Sequence, residues 1–182
     1  MSYLLGIDVG TSSVKAAVVE VESARVVAAA GREVALHTPR PGWAEQDPND
    51  WFEAAVGAAR AAIAAAGTGG DALRGVGFSG QMHGTVCLDT AGRPVRPAII
   101  WADARSGPQA AALREAGGDS LAEHAPGPPV TGFMGPTLVW LREHQPDTIA
   151  RTGTVLLPKD YVRLRFTGEA ATEPSDAAST WL

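Results

Sequence analysis

Two short stretches combine residue types that could do chemistry. In Gly6-Ile7-Asp8-Val9-Gly10-Thr11-Ser12-Ser13, a carboxylate ends an apolar run and a glycine and three hydroxyl residues follow. Thr11, Ser12 and Ser13 gather hydroxyl and backbone N–H donors at one place, and Gly10 lets the backbone turn where a side chain would obstruct a ligand. That combination suits the terminal phosphates of a nucleotide, with Asp8 reaching a magnesium ion directly or through water. The same residues suit an ordinary turn equally well, because glycine and serine are what turns use. Two other phosphate motifs are excluded. No Gly-Lys-Ser/Thr follows at the Walker spacing, and the GxGxxG spacing of a dinucleotide fingerprint is absent. In the second stretch, Gly80 and Gly84 bracket Gln81-Met82-His83. Gln81 and His83 offer hydrogen bonds to hydroxyls, and Met82 offers a surface for the C–H face of a sugar. A few aimed donors on an apolar wall suit an uncharged polyol. Standing alone, His83 reads more simply as a satisfied histidine in a loop.

The elements around these stretches predict how they are held. Residues 3–9, 14–20 and 25–35 read as three consecutive strands, the first two forming a hairpin with Asp8, read as a buried carboxylate, near its tip. Asp47-Pro48-Asn49-Asp50 is a strong helix start, with Asp47 as cap and Pro48 at the first helical position. That helix runs to about Ala66, where Gly67-Thr68-Gly69-Gly70 ends it. Leu73–Ser79 reads as a fourth strand, continuous enough for a covered sheet. Short strands are expected at 85–88, 98–101 and 155–157, and helices at 105–116, 137–144 and 158–166. Residues 125–136 and 172–179 read as loops, and Pro146 as the stop of the helix before it. The order β-β-β-α-β-α predicts an α/β domain of ribonuclease-H-like, actin type. Its mixed sheet would be antiparallel through the first three strands, parallel afterwards, and flanked by helices. A doubly wound sheet would need a helix after its first strand. Ligands of open α/β sheets gather at the C-terminal ends of strands, where both stretches fall.

Composition narrows the function classes. The 182 residues are 45% hydrophobic and 19% charged, enough for one sizeable domain with a core. A net charge of -5 without a Lys/Arg cluster argues against nucleic acid and against an anionic membrane surface. No stretch is long and apolar enough to span a bilayer, and no leader pattern opens the chain. The single cysteine, Cys87, fits a reducing compartment, so a cytoplasmic location is expected.

Several blocks together resemble the FGGY carbohydrate kinases. Gly6-Ile7-Asp8-Val9-Gly10-Thr11-Ser12 is similar to their phosphate hairpin. Trp43-Ala44-Glu45-Gln46-Asp47-Pro48 with Trp51, Arg96 through Arg105, Leu156 through Arg165, and Ser175-Asp176-Ala177-Ala178 match further family segments in order and spacing. The Gln81-Met82-His83-Gly84 form is that of the family's xylulokinases. The resemblance implies ATP and Mg²⁺ as cofactors, D-xylulose as partner and D-xylulose 5-phosphate as product, with a homodimer compatible for the full-length enzyme. It places Asp8 near the metal and γ-phosphate, and Gly10, Thr11, Ser12 and Ser13 along the ATP phosphates. Met82 and His83 would meet the ketose, with Gln81 beside them. Asp103 would approach the sugar or pair with Arg105, and Arg105 reads as structural. Trp43, Trp51 and Trp101 read as core or loop-clamping aromatics, and Lys159-Asp160 as a cap-region charge pair. Asp176 is not promoted to a catalytic role. Residues 1–182 would be the N-terminal domain. The family's general-base aspartate, in a Gly-rich segment, and its second nucleotide-binding domain are not among them, so this chain alone is expected to be inactive. Ribulose, gluconate and glycerol kinases, and a non-catalytic sugar-binding module, are the alternatives.

Overall fold

The computed structural model describes residues 1–122 and 127–182. The first three strands are β1 (Tyr3–Val9), β2 (Ser13–Glu20) and β3 (Val26–Glu33), an antiparallel meander. After a two-residue strand, β4 (Glu45–Gln46), helix α1 (Pro48–Ala65) leads through a 3₁₀ turn to β5 (Leu73–Gly80). β5 lies parallel to β1, so the main sheet runs β3-β2-β1-β5. This is the expected mixed sheet, with one parallel strand beside the meander.

Alternation decides which face each residue takes. Leu5, Ile7 and Val9 of β1 and Val14, Ala16 and Val18 of β2 all point into the core. Asp8 therefore sits on the opposite face and is exposed, not buried as its apolar neighbours suggested. α1 covers the inner face. Asp47 caps it by accepting from the Asn49 N–H, and Trp51, Ala54, Ala55, Ala58, Ala59 and Ala62 are buried. The five alanines let the helix lie close against β2 and β3.

The remaining elements form a second layer of short pieces. β6 (Val86–Leu88), β7 (Ala98–Ile99), α2 (Gly107–Ala122), α3 (Met134–His144), α4 (Pro146–Arg151), β8 (Thr154–Leu156), α5 (Pro158–Thr167) and α6 (Pro174–Ala177) follow in that order. β4 pairs with β7 and β6 with β8, as two ribbons apart from the main sheet. Cys87, Ile99, Trp140 and Leu141 form a small core beside them. Tyr161 and Val162 of α5 join the main core next to α1.

Several boundaries differ from expectation. Pro146 starts α4 as well as following α3, because proline suits a first helical turn. The stretch 172–179 contains α6, which Glu173 caps by accepting from the Ser175 and Asp176 N–H groups. α3 begins at Met134, inside the expected 125–136 loop, of which residues 125 and 126 lie outside the described residues. α2 extends past the expected 105–116. β5 is not the covered strand its sequence suggested. Glycines at 75 and 77 leave its outer face bare, and on the opposite face Val76, in register with Leu5, is still 45% exposed. Among the described residues no helix is long and apolar enough to cross a membrane.

Candidate active site at the ends of β1 and β5

β1 and β5 end side by side, with Val9 opposite Gly80 and Asp8 opposite Ser79. Asp8 is exposed, and its Oδ1 accepts a hydrogen bond of 2.8 Å from the Ser79 hydroxyl. Lys15 faces it across the hairpin. The turn after Asp8 closes through Gly10 N–H donating to the Ser13 carbonyl at 3.1 Å. A Cβ on Gly10 would stand 2.8 Å from that same carbonyl. Glycine is thus required by the closure of the turn itself, where ligand approach was the expected reason.

Thr11 is already committed to the protein. Its hydroxyl accepts from Trp101 Nε1 at 2.9 Å and donates to Gln81 Oε1 at 3.3 Å. A hydroxyl has one hydrogen to give, so this side chain has none left for a phosphate. Ser12 is exposed and Ser13 half-buried at the tip. Trp101, expected as a clamp, holds the hairpin.

The 81–84 loop leaves β5 with one more sheet bond, from Gln81 N–H to the Val9 carbonyl at 2.8 Å. Gln81 then turns inward and is 8% exposed, whereas Met82 is 59% exposed. His83 takes a left-handed backbone, φ +58°, which few side chains other than Asn, Asp and His adopt readily. Its ring stacks on Phe133, with centroids 4.0 Å apart and planes 28° off parallel. Its Nδ1 is buried without a hydrogen-bond partner among the described residues. An orphaned buried nitrogen is costly unless something comes to bind it. Gly132, next to Phe133, packs on the Trp101 backbone, where a Cβ would lie 2.1 Å from the carbonyl oxygen.

Met82 and His83 line a cleft of about 540 Å³ with Ser79, Lys159, Ser175 and Asp176. A second depression of about 590 Å³ lies on the outer sheet face, lined among others by Asp8, Lys15 and Ser79. Phe78 and Ser79 border both. Lys159 is more than a cap residue. It is 7% exposed and pairs with Asp160 at 3.0 Å and Asp176 at 2.9 Å. Burial opposes its charge, but the hydrogen bonds and charges of Asp176 and Asp160 hold the ammonium above its ordinary value.

Burial pushes the His83 imidazole below its ordinary value, against the opposing charge of Asp176. The ring is therefore neutral at pH 7 and can both accept and donate. An unfolded chain protonates this histidine near pH 6.5, whereas the folded one resists until lower pH. Its contribution to stability is thus present above about pH 6.5 and is lost as pH falls toward the folded value. Thermal melts of the full-length protein between pH 7 and pH 5 should show wild type losing more Tm than His83→Asn. Equal losses would refute the assignment.

Asp103 does not join these groups. It is 1% exposed, and its carboxylate accepts from the Ala44 N–H at 2.6 Å and from the Arg105 N–H, Nε and Nη2 at 2.7–2.9 Å. A sugar hydroxyl would have to displace one of these buried bonds. Arg105 also pairs with Glu45 at 2.7 Å and lies 3.7 Å over the Trp43 ring, so the segment is braced from both sides. Of the candidate residues, Asp8, Gly10, Ser12 and Ser13 stand at one strand end and Met82 and His83 at its neighbour. Thr11 and Gln81 lie between them, joined to each other. Phe133 and Ser79 are additions that the sequence did not single out. An aromatic between a glycine and a helix start was the available signal for Phe133.

A magnesium ion fits Asp8 in one way. Among the described residues no three or more His, Cys, Asp or Glu side chains are placed to hold a metal together. Mg²⁺ commonly takes one or two carboxylates, with substrate phosphates and water completing its octahedron. An exposed carboxylate with one oxygen steadied by Ser79 suits that arrangement.

Residues 3–182 match the model of the FGGY family of carbohydrate kinases, N-terminal domain. The chain is 38% identical over 182 residues to a xylulose kinase of Bacillus subtilis, covering 100% of this chain and 36% of that protein. It is 40% identical over 184 residues to one of Escherichia coli, covering 98% and 36%. The crystal structure of a xylulose kinase from Brucella ovis superposes with a TM-score of 0.93 at 42% identity, covering 98% of this chain and 37% of that one. A gluconate kinase from Lactobacillus acidophilus shares the fold, with a TM-score of 0.90 at 23% identity, 99% of this chain and 36% of that one being covered. The chain spans about a third of the length of the curated relatives it matches. An exposed carboxylate at a hydroxyl-rich hairpin, set one strand away from a neutral imidazole, stands in a sequence that matches one family model almost end to end, and the chain belongs to the FGGY family of carbohydrate kinases.

Proposed function

We propose that residues 1–182 are the N-terminal domain of a kinase that converts ATP and D-xylulose to ADP and D-xylulose 5-phosphate. The observation that carries this reading is the placement of Asp8 and the Met82–His83 loop on adjacent parallel strand ends, in a chain similar to named xylulose kinases. Neighbouring strands lie about 4.8 Å apart, short enough for one bound pair of substrates to touch both. Met82 and the His83–Phe133 stack give the ketose an apolar wall, and the neutral His83 ring gives it an aimed hydrogen bond. The exposed Ser12 and the adjoining Ser13 offer donors to phosphate oxygens. Mg²⁺, bound at Asp8 with the nucleotide, would offset the charge that develops on the transferring phosphoryl group.

In the transfer, the acceptor hydroxyl oxygen bonds to the γ-phosphorus as the bond to the ADP oxygen breaks, and the hydroxyl proton passes to a general base. No residue at these two strand ends is assigned that base, which is proposed to come from a second domain closing over the first. Closure would also keep water from the phosphoryl group.

The test is an assay of the full-length protein with ATP and a panel of D-xylulose, D-ribulose, D-gluconate and glycerol. The highest kcat/KM is expected for D-xylulose, with D-xylulose 5-phosphate identified as product. A preference for another acceptor would reassign the substrate, and binding without turnover would favour a sugar-binding module. Residues 1–182 alone are expected to release no xylulose-dependent ADP above background.

A further inference from the structure

Gln46 is 1% exposed, and both ends of its amide are occupied. Nε2 donates to the Thr11 carbonyl at 2.9 Å and to the Ala35 carbonyl at 3.0 Å. Oε1 accepts from Gln81 Nε2 at 3.0 Å and from Trp51 Nε1 at 3.3 Å. Two donors and two lone pairs are the whole capacity of a carboxamide, so the group is saturated. Two of the four bonds run to the scaffold: Ala35 follows β3, and Trp51 is a fully buried residue of α1. The other two run to the two halves of the candidate site. The bond from the Thr11 hydroxyl to Gln81 Oε1 closes a ring of three residues, Thr11, Gln46 and Gln81.

We propose that Gln46 is a positioning residue that sets the hairpin tip and the 81–84 loop in one register, so that occupancy of either is felt at the other. Its reach is fixed, because Ala35 and Trp51 pin the amide plane. A ligand that tightens Gln81 therefore tightens Thr11, both through Gln46 and through their direct bond, and by reciprocity the converse holds. Its loss would take this shared donor from the Thr11 and Ala35 carbonyls, leave the buried Trp51 Nε1 and Gln81 Nε2 without their acceptor, and loosen both loops together. The coupling of sugar and nucleotide rests on the kinase reading above, but the mechanical linkage does not.

The test compares wild type with Gln46→Met in the full-length protein. Methionine keeps the length and removes all four bonds. Amide hydrogen exchange at residues 10–13 and 81–84 should accelerate together by about tenfold, while the β1 and β2 interior is unchanged. In wild type, a non-hydrolysable ATP analogue should tighten D-xylulose binding, and in the variant, where only the direct Thr11–Gln81 bond remains, this enhancement should weaken with a loss of about tenfold in kcat. Acceleration at only one loop, or an unchanged enhancement, would overturn the proposal. Should Gln46→Met not fold, Gln81→Met serves instead. It keeps both scaffold bonds and should still speed exchange at residues 10–13, and acceleration confined to 81–84 would refute the linkage. If wild type does not phosphorylate D-xylulose but the two loops still loosen together, the substrate reading fails and the positioning role stands. If it does and they loosen separately, only the positioning role fails.

Discussion

Asp8→Asn is expected to lower kcat of the full-length protein by about 100- to 1,000-fold, the usual loss when one preorganised charge partner of a transition state is removed. The side chain is exposed, and asparagine keeps an oxygen that can accept from the Ser79 hydroxyl. Folding should be nearly untouched, with a change of about 0.5 kcal/mol or less. What changes is charge, since a neutral amide holds Mg²⁺ poorly against water. The KM for D-xylulose should move little, because the acceptor loop leaves from a different strand. Steady-state kinetics with a magnesium titration would check this, alongside a thermal melt. A kcat within threefold of wild type would remove Asp8 from the mechanism.

The second large effect is expected at His83. His83→Ala should raise the KM for D-xylulose by about 100-fold and the KM for ATP by no more than about twofold. A site built to hydrogen-bond a hydroxyl pays heavily when its partner is gone. Alanine adds a complication, since position 83 has φ +58° and alanine is strained there. His83→Asn separates the two causes, because asparagine tolerates that backbone but cannot stack on Phe133. If the ring matters, both variants lose sugar affinity, and alanine, which adds backbone strain to the lost stack, loses more stability than asparagine. An ATP KM that rises as much as the sugar KM would show that His83 supports the domain generally.

Much of the scaffold was legible because it follows local rules. The β1–β2 hairpin shows as two apolar runs around a small polar turn, and α1 carries its cap, its proline and its apolar spacing in the sequence. The period of two also dictates that Asp8 faces outward once Ile7 and Val9 are inside. Reading the carboxylate as buried weighed its apolar neighbours above that alternation. The ribbons β4–β7 and β6–β8 were less legible, since two- or three-residue strands carry no periodicity. α6 is one turn long and starts from a glutamate cap, which residue statistics rank below serine or aspartate.

The site was readable where its residues are near in sequence and hidden where they are not. Asp103 and Arg105 are two apart, so their pairing is visible in the sequence. Thr11 looked like a phosphate donor because nothing local consumes its hydroxyl. Its partners, Gln81 and Trp101, lie 70 and 90 residues away. The same distance hid the Phe133 stack, and no residue near Gln46 announces that it bridges two loops.

The ring formed by Thr11, Gln46 and Gln81 carries a consequence for how such a gene can diversify. The hairpin half, proposed to face the nucleotide, and the 81–84 half, proposed to face the acceptor, are encoded far apart and meet through the β1–β5 pairing and this ring. Codons 82 and 83 are therefore open to replacement by ones suited to a different polyol, with the donor half inherited intact. Codon 81 is not, because an amide there is the shared fastening. A lineage switching acceptors would be expected to vary around that glutamine and keep it.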